Sequence, residues 1–269
     1  MEREPSAGLY SRLYDRLIAD LRREGRSSVE AARLAVGGDY DVFGCIERDA
    51  LLSVGMGPDS FVVDLGCGAG RLARKLVAPS VRPGRYFGLD VHAGLLEEAR
   101  TQTKSLTGES EVGFEFAQVT LPRIPCGEES VDFLTAFSVA THIEPEETFS
   151  YMKETARILK RRGLGLISYL SAEIQSHWEI FLDECAIPVE ERRNRVPNKV
   201  HPPGALGYLA ERAGLEVLSD HPADLPWIPL TESMTFEGES RKVGDRVHLG
   251  QSCLIVRPKR TESPPSQVS

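Results

Sequence analysis

The residues of this sequence that are best arranged to bind a ligand form a short glycine-rich loop. Glycines stand at every second position, at Gly66, Gly68 and Gly70, between the apolar run 61–65 and a helical pattern that starts at Arg71. Glycine permits a tight turn and lets a ligand approach the main chain, and the free N–H groups of the following helix point at the same place. The loop therefore predicts a ligand site where a strand meets a helix.

The spacing of the glycines and the acids around them narrow the choice of ligand. The third glycine of a dinucleotide loop would fall at Arg71, and the G-K-S/T ending of a phosphate-binding P-loop is absent from this sequence. Asp64, just before the loop, would repel a pyrophosphate but can pair with an ammonium group. Asp90 ends the second predicted strand, where an acid accepts hydrogen bonds from ribose hydroxyls. Together these residues favour a nucleoside that carries an amino acid.

Three stretches of the chain resemble the class I S-adenosylmethionine-dependent methyltransferases. Residues 62–71 resemble the first motif of that family, residues 131–143 its fourth strand and the loop after it, and residues 157–163 the turn before its fifth strand. The resemblance covers residues 62–170 well and the last two strands weakly. It implies an α/β, Rossmann-like fold with a seven-stranded, mostly parallel sheet whose final strand is antiparallel. It also implies S-adenosylmethionine as the cofactor.

The resemblance further implies which side chains bind the cofactor. Asp90 matches the ribose-binding acid, and Gln118 stands where many members have an acid near the adenine amino group. The carbonyl oxygen of Gln118 can accept the same hydrogen bond. Tyr40, in the loop before the core, either closes over the cofactor or packs on the domain. The predicted cofactor-binding residues are Asp64, Gly66, Cys67, Gly68, Gly70, Asp90, Val91, Gln118, Val119, Phe137, Ser138 and Tyr40.

Methyl transfer from a sulfonium is a direct displacement, so the protein mainly aligns donor and acceptor and excludes water. No His, Asp or Glu cluster has the spacing of metal ligands, and we predict no metal site. His142 follows the fourth predicted strand, near the expected position of the methyl group. It is the candidate catalytic residue, a general base if the acceptor is a hydroxyl. The alternative is a histidine that only braces this loop.

The elements that position these residues follow from the pattern of the chain. Strands alternate with helices through its middle, which predicts a parallel sheet with helices on both faces. The basic run 160–162 is expected to end a helix, where cations suit the helix dipole. Trp178 and Phe181 either cover the acceptor or make ordinary core contacts. The predicted organisation is a helical cap segment at 1–58, a cofactor-binding domain at 59–257 with a small helical cap insertion at 171–203, and a disordered tail at 258–269.

Composition argues against several classes of partner. The chain of 269 residues has a formal net charge of −8, which repels nucleic acid backbones on average. Its five cysteines are odd in number and include no C-x-x-C pair, which is typical of reduced thiols in the cytoplasm. No segment has the pattern of a signal peptide or a membrane span. We therefore expect a cytoplasmic protein without a membrane or nucleic acid partner.

Three functions remain open from the sequence. The leading one is methyl transfer to a small-molecule acceptor, with an acceptor site built by the helical cap segment and the insertion. A protein or RNA methyltransferase is the second. The N/D-P-P-Y/F signature for base and glutamine amino groups is missing, since Ser138-Val139-Ala140-Thr141 stands in its place. The third is a non-catalytic partner or scaffold that binds S-adenosylmethionine without turnover.

Overall fold

A mixed sheet flanked by helices forms the centre of the molecule. The computed structural model describes residues 6–107, 113–120 and 122–259. Its strands are β1 (Phe61–Leu65), β2 (Arg85–Asp90), β3 (Phe114–Gln118), β4 (Val131–Ala136), β5 (Leu159–Ser171), β6 (Val200–His201), β7 (Leu215–His221), β8 (Ile228–Pro229), β9 (Met234–Phe236), β10 (Glu239–Arg241), β11 (Arg246–Val247) and β12 (Ser252–Pro258). Its helices are α1 (Ser6–Arg23), α2 (Ser28–Ala35), α3 (Tyr40–Ser53), α4 (Arg71–Leu76), α5 (Ala93–Thr107), α6 (Pro145–Ile158), α7 (Gln175–Ala186), α8 (Val189–Arg192) and α9 (Ala205–Arg212).

The strand order confirms the predicted Rossmann-like sheet. The strands lie in the order β3-β2-β1-β4-β5-β12-β7, and the short β6 pairs with the end of β5. Strands β1 to β5 run parallel, whereas β12 runs antiparallel to both β5 and β7. The apolar residues of β1 and β4 are buried because helices cover both faces of the sheet. The carboxyl ends of β1, β2 and β4 therefore meet at one edge.

Two apolar clusters lie on opposite sides of this sheet. One joins α3 and α4 to β1 and β2 and includes Ile46, Leu51, Leu72 and Tyr86. The other joins α6 and α9 to the sheet. The short pairs β8–β11 and β9–β10 contribute Ile228, Phe236 and Val247 to the first cluster. Strands of two or three residues are too short to show a periodic pattern, which is why the sequence did not predict them.

The basic run 160–162 does not end a helix, and this expectation is wrong. Helix α6 ends at Ile158 and β5 begins at Leu159, so the run belongs to the strand. The pairing of β4 with β5 is irregular there, because it shifts from Val131–Leu159 to Phe133–Leu164. The Lys160 ammonium bonds the Asp132 carboxylate at 2.8 Å. This carboxylate, and not the end of a helix, balances the charge of Lys160.

Both ends of the described chain make defined structural contacts. Residues 6–58 contain α1, α2 and α3, and α2 begins with a capping box of Ser27 and Glu30. Lys259 is held by its main-chain N–H, which donates to the Gly214 carbonyl at 2.8 Å. Residues 260–269 of the predicted tail lie outside the described residues. In the part of the chain that the structure covers, no helix combines the length and apolar character needed to cross a membrane.

Candidate functional site

A cavity lies at the carboxyl edge of the sheet, between β1 and β4, where the strand order reverses. Ligands of open α/β sheets bind at such a reversal. Ten of the predicted site residues line the cavity: Asp64, Gly66, Cys67, Gly68, Asp90, Val91, Val119, Phe137, Ser138 and His142. They follow β1, β2, β3 and β4, so the fold brings four separate segments of the chain to one place.

The glycine loop has the backbone geometry that its sequence predicts. Gly66, Gly68 and Gly70 have φ values of +75°, +52° and +83°, in the left-handed region that glycine tolerates best. A Cβ atom on Gly68 would stand 2.6 Å from Cγ1 of Val36. Gly70 caps the N-terminus of α4 and does not line the cavity. The alternating glycines therefore serve both the turn and the close approach of neighbouring segments.

Asp90 connects the glycine loop to the end of β2. Its Oδ2 accepts a hydrogen bond from the Gly68 N–H at 2.9 Å, and its Oδ1 accepts one from the His92 N–H at 2.9 Å. Burial raises the pKa of this carboxyl, although the two backbone donors oppose the shift. Each oxygen retains a second lone pair. The carboxylate can therefore accept ribose hydroxyls while it holds the loop.

We expect Asp90→Ala to weaken binding of S-adenosylhomocysteine by about 10- to 150-fold. A hydrogen bond to a charged acceptor contributes about 1.5–3 kcal/mol, and the loop loses its tether as well. Isothermal titration calorimetry measures the effect, with Asp224→Ala as control because Asp224 is exposed and remote from the cavity. An unchanged affinity in a folded Asp90→Ala protein would remove this residue from the site.

Asp64 is buried at the end of β1 and borders the cavity. The Tyr86 hydroxyl donates to its Oδ2 at 2.5 Å, and the Thr135 hydroxyl donates to its Oδ1 at 2.7 Å. Both donors lower the pKa of this carboxyl, but they are neutral and oppose only part of the effect of burial. Burial accordingly raises the pKa of Asp64 to about 7. A ligand ammonium beside this carboxyl would favour its charged form.

Binding of S-adenosylhomocysteine near pH 7 should therefore release protons from this site. The carboxyl is partly protonated in the free protein, since its pKa is about 7, and a neighbouring cation lowers that pKa. Calorimetry in buffers with different ionisation enthalpies reports the released fraction. In Asp64→Asn the release should disappear. Proton release that persists in this variant would contradict the predicted contact with the ligand ammonium.

His142 lies in the loop after β4 and presents one ring nitrogen without a protein partner. Its Nδ1 lies 2.7 Å from the Pro197 carbonyl oxygen, which can only accept, so Nδ1 carries the proton. Nε2 makes no hydrogen bond to any residue that the structure describes. Burial lowers the pKa of the imidazole, which keeps it neutral. A lone pair on Nε2 is the state that a general base requires.

The predicted cap insertion holds the loop that carries His142. The Lys199 N–H donates to the Thr141 carbonyl at 2.7 Å, and the Lys199 ammonium bonds Glu144 at 2.7 Å. Glu184 of α7 accepts a hydrogen bond from the Asn198 side chain at 2.9 Å, next to the Pro197 carbonyl. The insertion thus orients the imidazole, so the bracing role and the role as a base are compatible in this geometry.

Two further predicted cofactor residues lie beside the cavity without lining it. Tyr40 is buried, and its hydroxyl donates to the Ala69 carbonyl at 2.7 Å, so it supports the glycine loop from behind. Gln118 is exposed, and its amide nitrogen donates to the Val91 carbonyl at 2.8 Å. Contact of either residue with the cofactor stays a prediction.

The predicted helical cap segment contributes a helix that crosses the cavity, but the sequence did not identify which of its residues line it. Helix α1, which we call the α1 strap, contributes Tyr10 and Tyr14 to the lining. The Tyr10 hydroxyl donates to Glu147 at 2.9 Å, Asp15 accepts from His92 Nε2 at 3.0 Å, and Arg16 bonds Asn194 at 3.0 Å. The four-residue spacing of Tyr10 and Tyr14 was the available signal, but this spacing indicates only that two residues share one face of a helix.

Other lining residues also escaped prediction. Glu147 and Tyr151 lie one turn apart on α6 and face the cavity. Arg71, the first residue of α4, forms a buried ion pair with Glu47 of α3 at the cavity wall. A charge pair between distant helices leaves no local pattern in a sequence. Among the described residues, no group of three or more His, Cys, Asp or Glu side chains is placed to hold a metal ion.

Two aromatic residues of α7, Trp178 and Phe181, do not pack in the core and do not line the cavity, so the predicted core role is wrong and contact with the acceptor stays a prediction. Trp178 and Phe181 are 40% and 38% exposed, and their rings stack on each other with centroids 4.9 Å apart. His177 is the residue that α7 buries, because its Nδ1 accepts from the Ser171 N–H at 2.9 Å. The helix therefore faces the sheet with its polar histidine side.

A comparison with family models identifies the part of the chain that builds the site. Residues 62–163, which include most of the cavity lining, match the model of a methyltransferase domain. This part of the chain is a methyltransferase domain. The cofactor is S-adenosylmethionine, and the enzyme transfers its methyl group.

Solved structures of methyltransferases share the fold over nearly the whole chain. Magnesium protoporphyrin IX methyltransferase from Synechocystis PCC 6803 has a TM-score of 0.58 at 13% identity, over 90% of this chain and 99% of that one. A S-adenosylmethionine-dependent methyltransferase from Thermotoga maritima has a TM-score of 0.56 at 17% identity, over 93% and 99%. A chain from a complex with the Haloferax volcanii Trm112 methyltransferase activator has a TM-score of 0.58 at 17% identity, over 92% and 98%. Identities this low show a shared fold.

Proposed function

We propose that this methyltransferase modifies a small molecule that binds inside the cavity, beside the cofactor. The observation that carries the proposal is the α1 strap, which lies over the site through Tyr10 and Tyr14 and is bonded to Glu147, His92 and Asn194. A small acceptor fits under such a helix. A folded protein or an RNA would have to displace it before a side chain or base could reach His142.

Different polar residues of the cavity would bind the methionine moiety and the ribose of the cofactor. Asp64, beside the glycine loop, would receive the ammonium of the methionine moiety, and Asp90 would receive the ribose hydroxyls. Val91 and Val119 offer apolar contact for the adenine. Bound S-adenosylmethionine supplies a methyl group already activated by its sulfonium. The protein has to exclude water, align the acceptor and take up one proton, for which Nε2 of His142 is available.

Two alternatives make different demands on the site. A scaffold that only binds the cofactor would have no use for an imidazole held in one tautomer with Nε2 unbonded. A nucleic acid methyltransferase would need a basic approach to the cavity, whereas its lining contains Glu47, Asp64, Asp90 and Glu147 against the single cation Arg71. The geometry and charge of the cavity therefore favour a small acceptor.

The experiment uses S-adenosylmethionine with an isotopically labelled methyl group. The purified protein is incubated with a fractionated cell extract, and the label is followed in the small-molecule, protein and RNA fractions. We expect label in the small-molecule fraction, in step with release of S-adenosylhomocysteine. Label confined to protein or RNA would overturn the proposal. Binding of the cofactor without any transfer would favour the scaffold.

A further inference from the structure

The cavity carries more negative charge than the cofactor can neutralise. Its lining contains the acids Glu47, Asp64, Asp90 and Glu147, and the one basic side chain is Arg71. Arg71 is already paired with Glu47. S-adenosylmethionine, with one sulfonium, one ammonium and one carboxylate, brings a net single positive charge. Asp64 and Asp90 are the acids next to the glycine loop, so Glu147 remains without a counterpart.

Glu147 occupies the acceptor end of the cavity, in the first turn of α6. Its Oε2 accepts the Tyr10 hydroxyl at 2.9 Å and the Glu144 N–H at 3.2 Å. Within the described chain, no Lys or Arg side chain forms an ion pair with it. His142 and Ile143 lie on the same α6-proximal side of the cavity. This half-buried carboxylate is therefore free to bind a ligand cation close to the proposed base.

Two tyrosines accompany this carboxylate in the cavity lining. Tyr10 comes from the α1 strap and Tyr151 from the next turn of α6. Burial and the Glu147 carboxylate raise the pKa of Tyr151 to about 12 and raise that of Tyr10 as well, so both remain neutral phenols. Neutral aromatic rings beside a carboxylate attract ammonium groups, both through the ring quadrupole and through the hydroxyl oxygens.

We propose that the methyl acceptor is an amine, which binds as an ammonium ion beside Glu147, Tyr10 and Tyr151 and is methylated on nitrogen. This inference rests on the proposed function, because it names the substrate class of the same cavity. The excess of carboxylates disfavours phosphorylated and carboxylate acceptors, since a second anion beside Glu147 would be repelled. Neutral hydroxyl acceptors would bring no positive charge to balance the Glu147 carboxylate.

Methylation of an amine requires a base, and His142 is held as a neutral imidazole with Nε2 available for a proton. An ammonium ion has no lone pair, so one N–H proton must first move to Nε2 of His142, the ring nitrogen without a protein partner. The nitrogen lone pair then forms the new N–C bond while the C–S bond breaks, and sulfur keeps the electron pair as a neutral thioether. The proton on His142 passes to solvent before the next turnover.

The test measures binding of tetramethylammonium, a cation that cannot itself be methylated, to the complex of the full chain with S-adenosylhomocysteine. We expect saturable binding to the wild-type complex and binding at least about tenfold weaker in Glu147→Gln. The glutamine keeps an acceptor for the Tyr10 hydroxyl, so the variant removes the charge with little change in shape. Glu146→Gln is the matched control, because Glu146 is the exposed neighbour on the same turn and does not line the cavity.

The outcomes separate this inference from the function on which it rests. A wild-type complex that binds S-adenosylhomocysteine but not tetramethylammonium overturns the amine site alone. Equal binding by wild type and Glu147→Gln does the same, because the carboxylate would then have no part in it. The result is cross-checked with amines, alcohols and carboxylates of shared carbon skeleton, and methylation of oxygen alone would also overturn the inference. Failure to bind S-adenosylhomocysteine would instead contradict the proposed function.

Discussion

His142→Ala and His142→Asn should each lower the turnover rate by about 10²- to 10⁴-fold, with the affinity for S-adenosylhomocysteine nearly unchanged. This is the usual contribution of a positioned general base. The asparagine variant separates the two roles of the residue, because its amide N–H can still donate to the Pro197 carbonyl while it offers no basic nitrogen. If His142 only braces the loop, asparagine should restore most of the activity that alanine loses.

The pH dependence gives a second test of the same residue. The rate requires neutral imidazole, so it should fall as the pH drops through the pKa of His142. Burial lowers that pKa below the ordinary 6.5, and this limb of the kcat profile should therefore lie below pH 6.5. His142→Asn should remove this limb from its residual activity. If the kcat profile of the variant fell in the same way at low pH, the titrating group would be another residue. Catalysis would then rest on the alignment of donor and acceptor.

Gly68→Val should reduce binding of S-adenosylmethionine and of its demethylated product by at least about a hundredfold. The backbone of Gly68 is in the left-handed region, where a β-branched side chain is strained, and its Cβ would stand 2.6 Å from the Val36 side chain. The Gly68 N–H also holds Asp90 in position, so a shift of this residue disturbs the ribose contact.

Calorimetry and thermal unfolding measured together show whether the loss is local. Gly207→Val is the matched control, because Gly207 lies in α9, outside the cavity lining, and its added Cβ has no atom within 4 Å beyond its chain neighbours and the backbone of its own helix. We expect the control to bind the cofactor normally. Normal binding by Gly68→Val would mean that the glycine loop is only a turn. Global unfolding would instead indicate that its contact with Val36 supports the fold.

The sequence predicted the parts of the fold that depend on local patterns. The apolar run before Gly66 had to be a buried strand, and the alternation of strands and helices required a parallel sheet. Because parallel strands end at one edge, the loops that carry Asp64, Asp90 and His142 had to meet there. The cofactor side of the cavity was therefore predictable from the order of residues along the chain.

The individual residues of the proposed acceptor side were not predictable, because distant segments of the chain supply them. Tyr10 reaches Glu147 across 137 positions of sequence, and neither residue shows a motif. Trp178 and Phe181 had the spacing of a buried helix face, yet they are exposed. Periodicity identifies an amphipathic helix but does not say which surface it will meet. The same limitation left Pro197 unassigned, although its carbonyl selects the tautomer of His142.

The α1 strap also has a consequence for the timing of the reaction. In the proposed arrangement, cofactor and acceptor bind beneath this helix, and each catalytic cycle would then require it to separate from Glu147, His92 and Asn194 and return. Partly exposed polar contacts of this kind contribute about 0–1 kcal/mol each, which permits frequent opening. Movements of such segments occur in microseconds to milliseconds and commonly limit product release. Solvent viscosity should then slow turnover, and residues of α1 would set the rate without touching the transferred methyl group.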